Sequence, residues 1–120
     1  MDSVVVLDPG SHTLKAGYAY AFPSAEEPRV VTPAAVEVLG GAAAGSGNRA
    51  GGVEVRHPVR GGVVEDWDGL ESLIHYSLYD LLGWAIGDEG AVVMAEPLLT
   101  GRADRERMAQ LMFEVFNVNG

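Results

Sequence analysis

A chain of 120 residues with 48% hydrophobic and 21% charged content can bury one folded core and does not read as disordered. Its formal charge of -9 argues against a broad nucleic-acid footprint, because binding to a phosphate backbone draws on clustered Lys and Arg. Cys is absent, which excludes a disulfide framework and thiolate metal sites, and no apolar run approaches the roughly 20 residues of a membrane span.

Met1-Asp2-Ser3 leads straight into an apolar run without a basic flank or a small-residue cleavage site, so an intracellular protein is expected. Val4 to Leu7 is a β-branched run that ends at the turn formers Asp8-Pro9-Gly10-Ser11, and strand character resumes from Thr13 to Ala21. Two antiparallel strands around a polar turn follow from that pattern. Arg29 to Val36 suggests a third strand, which Pro28 and Pro33 confine to a short or edge position. From Leu39 to Gly52 the chain turns to Gly, Ala, Ser and Asn, which bury too little apolar surface to offset the entropy of ordering, and a mobile loop is expected. Val53-Glu54-Val55 suggests a small strand, and Pro58 to Val64 returns the chain to the core.

Asp66 and Asp68 are both N-cap candidates, and Glu71 follows Asp68 by three. Trp67, Leu70, Ile74, Leu78 and Leu81 recur at helical spacing with Leu73 and Leu82 alongside. An amphipathic helix ending near Gly83 is predicted. Ala91 to Ala95 is too short for a helix and lies between Gly90 and Pro97, which suits a parallel strand buried on both faces. Thr100 is the expected cap of a second helix with Met108, Leu111, Met112 and Val115 on one stripe. Hairpin, helix, strand and helix in that order give an α/β sheet with packed helices, and the last helix has no successor strand.

The chemistry concentrates in Asp8 to Gly17, which joins a carboxylate, a glycine, a hydroxyl and a lysine around one turn. Asp8 can hold Mg²⁺ directly or through waters, since that ion takes oxygen ligands and keeps much of its hydration. Gly10 allows close backbone approach to a ligand. The amides of Ser11, His12 and Thr13, with the Ser11 hydroxyl, can form an anion-binding concavity. Lys15, the only lysine in the chain, adds a compact positive charge. On these residues alone an ordinary hairpin turn is the simpler reading, and the spacing matches neither a Walker loop nor a dinucleotide fingerprint.

Other chemistry-bearing residues have plainer explanations. Glu65, Asp66 and Asp68 are expected to cap a helix rather than hold a metal. His57 and His75 lack a partner at metal-helix spacing, Trp67 and Trp84 suit core packing, and Arg102, Arg105 and Arg107 suit a solvated helix face beside Asp104 and Glu106.

Several distant segments agree on one family. Asp-x-Gly-Ser-x-x-x-Lys-Ala-Gly at Asp8 to Gly17 resembles the first phosphate-binding loop of the actin family. Pro58 to Asp68, reading Pro-Val-Arg-Gly-Gly-Val-Val-Glu-Asp-Trp-Asp, is similar to the family's segment leading into a helix. Glu96 to Asn117, with Arg105-Glu106, Gln110 and Met112 to Asn117, is similar to its next helix. The Gly-Trp pair after the first helix and Glu96 to Thr100 look most like the family's plant nuclear branch.

The resemblance implies an actin-like ATPase fold of the ribonuclease-H type, a mixed sheet with flanking helices, of which this chain is an incomplete N-terminal portion. It implies a phosphate-loop hairpin and third strand over 1–36, a small Gly/Ala-rich insertion over 37–57, and a helix-strand-helix return over 58–120. ATP is the implied cofactor, bound by Gly10, Ser11, His12, Thr13 and Lys15, with Mg²⁺ at Asp8. Pro9 and His12 replace smaller or polar residues of conventional actin, and His12 is expected to face solvent. Gly61 stands where conventional actin carries a modified histidine near the nucleotide. The implied role is a non-filamentous nuclear subunit of chromatin-remodelling assemblies, with the cytoplasm as a second compartment and without direct contact to nucleic acid or membrane. An actin-like ATPase or cytoskeletal relative, and a small-molecule kinase of the same superfamily, are the alternatives. The family's water-positioning glutamine and second phosphate loop lie beyond the matching segments, so catalysis is not expected of these 120 residues alone.

Overall fold

The computed structural model describes residues 4–19, 30–39, 53–96 and 100–120. Strands β1 (Val4–Pro9) and β2 (Thr13–Tyr18) form the expected antiparallel hairpin, with Leu7 opposite Ala16 and Asp8 opposite Lys15. The third strand, β3 (Val30–Pro33), pairs antiparallel with β2 and sits at the edge, as its flanking prolines require. It is shorter than the sequence suggested, because the chain breaks after Pro33 and resumes as β4 (Val36–Leu39). That strand leaves the main sheet and pairs instead with β5 (Val53–Arg56). The expected mobile loop falls mainly on 40–52, outside the described residues.

A two-residue turn at Gly61 and Gly62 joins β6 (Val59–Arg60) to β7 (Val63–Val64). Both glycines have positive φ, 56° and 79°, the left-handed pair that a tight hairpin needs to match strand twist. Strand β8 (Ala91–Met94) then pairs parallel with β1, giving a four-stranded mixed sheet in the order β3-β2-β1-β8.

Register divides the sheet into two unlike faces. Val5, Leu7, Leu14, Ala16 and Val30 share one face, and all are buried. The opposite face carries Val6, Asp8, Lys15, Val31 and Val93 and is open, with Val31 59% and Val93 56% exposed. The expectation that β8 is buried on both faces is therefore wrong. An apolar run looks the same whether one face or two are covered, and here both helices pack on a single side.

Helix α1 (Trp67–His75) begins at Asp66, whose carboxylate accepts the Gly69 amide at 3.0 Å. A cap of this kind contributes about 1 kcal/mol. Asp66 takes the role rather than Asp68, so Glu71 is not part of a capping box. Past His75 the helix widens into a π-helical stretch, Tyr76–Leu81, where the buried Ser77 hydroxyl donates to Leu73 O at 2.8 Å. Such back-bonding competes with the backbone donor at that carbonyl. The wider turn rotates the face, so that Leu82 is buried and Leu81 is exposed, the reverse of the emphasis in the predicted stripe. Gly83, at φ 78°, ends the helix, Trp84 N donates to Leu78 O, and the Tyr18 hydroxyl ties Leu82 O to β2.

Helix α2 (Arg102–Gln110) starts from Gly101, not Thr100, and Gly101 offers it no side-chain cap. It also passes into a π-helical stretch, Leu111–Val115, and the same rotation recurs: Phe116 is 1% exposed while the predicted stripe member Val115 is 54% exposed. Asn117 takes the left-handed position with φ 54°, and Val118 N donates to Met112 O. The two helices thus end by the same device. Beyond it, Asn119 N donates to Gly90 O and Val92 N to Gly120 O, so the last residues lie along the outer edge of β8.

Between Gly83 and β8 the chain is held by Glu89. Its carboxylate accepts the Gly87 amide at 3.0 and 3.1 Å and the Tyr79 hydroxyl at 3.0 Å. Those donors, led by the backbone amides, hold the Glu89 carboxyl below its ordinary range. Burial, and then the hydrogen bond to Glu89 followed by that carboxylate's charge, push the Tyr79 phenol up to about 12. The carboxylate's contribution is thus present above its unfolded pKa and fades only as pH falls through the depressed folded value. The phenol's is present below its ordinary value of 10.0 and is lost as pH rises through about 12. An NMR titration of the Tyr79 ring carbon should show a midpoint near 12. In Glu89→Gln the midpoint should fall but stay above the ordinary value, because burial is the larger cause; an unchanged midpoint would refute the Tyr79–Glu89 contact.

Candidate functional site

Only four residues, Gly10 to Thr13, separate the paired ends of β1 and β2. Gly10 N donates to Thr13 O at 3.0 Å and closes the turn, so this amide is consumed internally. A β-carbon at Gly10 would lie 2.7 Å from Thr13 O, closer than real side chains come. Glycine is thus required here by close approach. The next two amides, of Ser11 and His12, donate to no other backbone group among the described residues. The His12 carbonyl accepts Ala34 N at 2.8 Å, which braces the turn against the end of β3.

The register then sets the charged groups. Asp8 and Lys15 are directly opposed across the hairpin and emerge together on the open face, where both are exposed. Opposed residues on one face have β-carbons about 4.5–5.5 Å apart, yet no ion pair within 4.0 Å joins these two among the described salt bridges. Thr13 joins them on that face, exposed, while Ser11 is half-buried in the turn and His12 is exposed at its tip. All six sequence-predicted site residues therefore lie within one turn and the two strand ends beside it. They offer one carboxylate, one ammonium, two hydroxyls and two uncommitted amides, a set suited to a metal-chelated polyanion. Among the described residues no group of three or more His, Asp or Glu gathers as a metal site. Mg²⁺ bound through one carboxylate, waters and phosphate oxygens does not need such a group.

The remaining candidates resolve as structural. Arg102 bonds Glu106 at 2.9 Å, Arg105 bonds Glu96 at 2.9 Å, and the Arg107 guanidinium lies 4.7 Å from the Trp67 ring centroid. The short basic stretch lies on a solvated helix face as predicted, with the Arg102 side chain 92% and the Arg105 side chain 63% exposed, and these surface contacts add to it. His57 and His75 are exposed, with the His75 ring 4.7 Å from that of Tyr79. A groove of about 520 Å³ between β8 and α2, lined by Met94, Met108, Met112 and Phe113 among others, includes none of the hairpin's site residues. Cavity size does not mark the chemistry here. A small cleft beside the hairpin, between Pro9, Gly62, Trp67 and Thr100, was not foreseen, since it depends on where the Gly61-Gly62 turn folds back.

A family model described as Actin matches residues 1–120. The chain belongs to the actin family. Within the family it is 48% identical to actin-related protein 7 of rice, Oryza sativa subsp. indica and japonica, over 118 residues that make up 97% of this chain. Actin-related protein 7 of Arabidopsis thaliana is 37% identical over 119 residues, again 97% of this chain. An actin-like protein of Neurospora crassa is 38% identical over 124 aligned positions, 95% of this chain. The chain spans about a third of the length of these relatives, 31% to 32% of each. The mixed sheet with its parallel β1–β8 pair is the part of the actin-family fold that this length carries.

Proposed function

We propose that the β1–β2 turn clasps the phosphates of Mg²⁺-bound ATP in an actin-type site, and that the protein is a non-filamentous nuclear subunit of chromatin-remodelling assemblies. The observation that carries the nucleotide reading is the placement of Asp8 and Lys15 side by side on the open face without an ion pair between them. Asp8 would hold the metal, directly or through water. The Ser11 and His12 amides, the Ser11 and Thr13 hydroxyls and the Lys15 ammonium would take phosphate oxygens, and Gly10 keeps the turn narrow enough to present them. Bound nucleotide would supply negative charge that offsets Lys15 and braces the hairpin. The assembly role rests on the likeness of the Gly83-Trp84 pair and of Glu96 to Thr100 to the family's plant nuclear branch, and on kinship with actin-related protein 7 of rice and Arabidopsis.

One loop cannot hold the ligand alone. About three charge-assisted hydrogen bonds at roughly 1.5–3 kcal/mol each stand against an association cost of about 4–15 kcal/mol. The 120-residue chain should therefore bind ATP very weakly and not hydrolyse it. In a protein of the relatives' full length, calorimetry with Mg-ATP should give a dissociation constant that Lys15→Ala weakens about tenfold or more, or about 1.4 kcal/mol. An unchanged constant would remove the lysine from the site. Phosphate release by that protein would favour the ATPase reading over a purely structural nucleotide, and sedimentation into ordered filaments would overturn the non-filamentous one.

A further inference from the structure

Ile86 is 88% exposed, more than any other large hydrophobic side chain among the described residues. It stands with Gly87 at the centre of a turn closed by Asp88 N donating to Ala85 O at 3.0 Å. Gly87 has φ 90°, a conformation that favours glycine, whereas nothing in the turn asks for an isoleucine beside it. Single exposed apolar residues are common on protein surfaces. What sets this one apart is how firmly its support is fixed. The Gly87 amide is held by the Glu89 carboxylate, which the Tyr79 hydroxyl also grips. Trp84 N is tied to Leu78 O on one side of the turn, and on the other Asn119 N donates to Gly90 O. Tyr79, whose hydroxyl grips Glu89, and Trp84 also meet edge to face, with ring centroids 6.3 Å apart. A side chain presented on so braced a turn loses little conformational freedom when it enters a pocket, which is the property of an anchor residue.

Charge gives the kind of partner. From Tyr76 to Gly101 the sequence contains no Lys, Arg or His, but holds Asp80, Asp88, Glu89 and Glu96. Glu89 is engaged by Gly87 and Tyr79, and Glu96 by Arg105. Asp80 and Asp88 remain exposed. The geometry points to a docking knob: Ile86 enters an apolar pocket of a partner protein, and Lys or Arg at the rim of that pocket meets Asp88 and Asp80. Such an arrangement gives affinity through the buried side chain and orientation through the rim. It does not depend on nucleotide.

Residues 1–120 lack cysteine, so Ile86→Cys places one thiol in this segment, at a position exposed enough to leave folding intact. Its maleimide labelling rate is to be measured, by mass spectrometry of the segment that carries it, in the protein purified alone and in the assembly recovered from cells. The expected result is fast labelling alone, at least tenfold slower labelling in the assembly, and loss of that protection when Asp88→Lys is added. Equal rates in the two states would show a bare turn and overturn the proposal. Slow labelling of the lone protein would overturn it too, by showing that its own chain covers Ile86. Protection that survives Asp88→Lys would overturn the basic rim.

Discussion

Gly10→Ala should both destabilise the protein and weaken nucleotide binding, although it adds a single methyl. The new carbon would be placed 2.7 Å from the Thr13 carbonyl oxygen, and that oxygen is backbone, already fixed by the Gly10 amide at 3.0 Å. The clash cannot be relieved by moving a flexible side chain, so the turn itself must open. Forced backbone shifts of this kind cost about 1–3 kcal/mol. Opening the turn also re-aims the Ser11 and His12 amides and changes the spacing of Asp8 and Lys15. A loss of tenfold or more in Mg-ATP affinity is expected in a protein of the relatives' full length, on top of a lowered urea midpoint. Ser11→Ala separates the two effects, since it removes a hydroxyl from the site without touching the turn closure. If Gly10→Ala leaves both midpoint and affinity unchanged, the turn does not have the narrow form described, and its role as a phosphate clasp goes with it.

Phe116→Ala should be among the most damaging substitutions outside the sheet, and Val115→Ala among the mildest. Phe116 is 1% exposed, with its ring centroid 6.5 Å from Tyr79 and 6.4 Å from His75, whereas Val115 is 54% exposed. Truncating a buried Phe costs about 3–5 kcal/mol, a large part of a typical total of about 5–15 kcal/mol. An exposed valine should change stability by no more than about 0.5 kcal/mol. A regular α-helical stripe through Met108, Leu111 and Met112 predicts the reverse order, so comparing urea midpoints tests the π-helical rotation directly. Should Phe116→Ala fail to fold, Phe116→Leu gives the same comparison in milder form. The matching pair at the first helix, Leu82→Ala against Leu81→Ala, should show the same sense.

What could be seen in the sequence was whatever is decided locally. The β-branched run before Asp8-Pro9-Gly10-Ser11 dictates a hairpin, and Asp66 sits where a helix needs its first amides satisfied. The residue types of the site were visible for the same reason, because they crowd one turn. What was hidden depends on contacts made across the fold. Neither helix announces its π-helical end, since the insertion of Leu82 or Phe116 into the core is settled by what each meets there. Ala91 to Met94 reads as doubly buried because apolar composition does not say how many faces are covered. The opposition of Asp8 and Lys15 hangs on a four-residue loop, and one residue more or less would have sent the lysine to the closed face. Thr100 looked a better cap than Gly101, but the backbone enters the helix one residue later.

Lys15 stands alone in its chemistry as well as in its position. No other ε-amino group exists in these 120 residues, and this one faces outward from the middle of the sheet. Any acyl group or ubiquitin-like tag that lands on a lysine of this segment must therefore land here, and a modest acetyl would erase the only full cation on the open face of the hairpin. The same singularity makes an activated ester a natural reporter of occupancy, because whatever shields that amine shields the clasp.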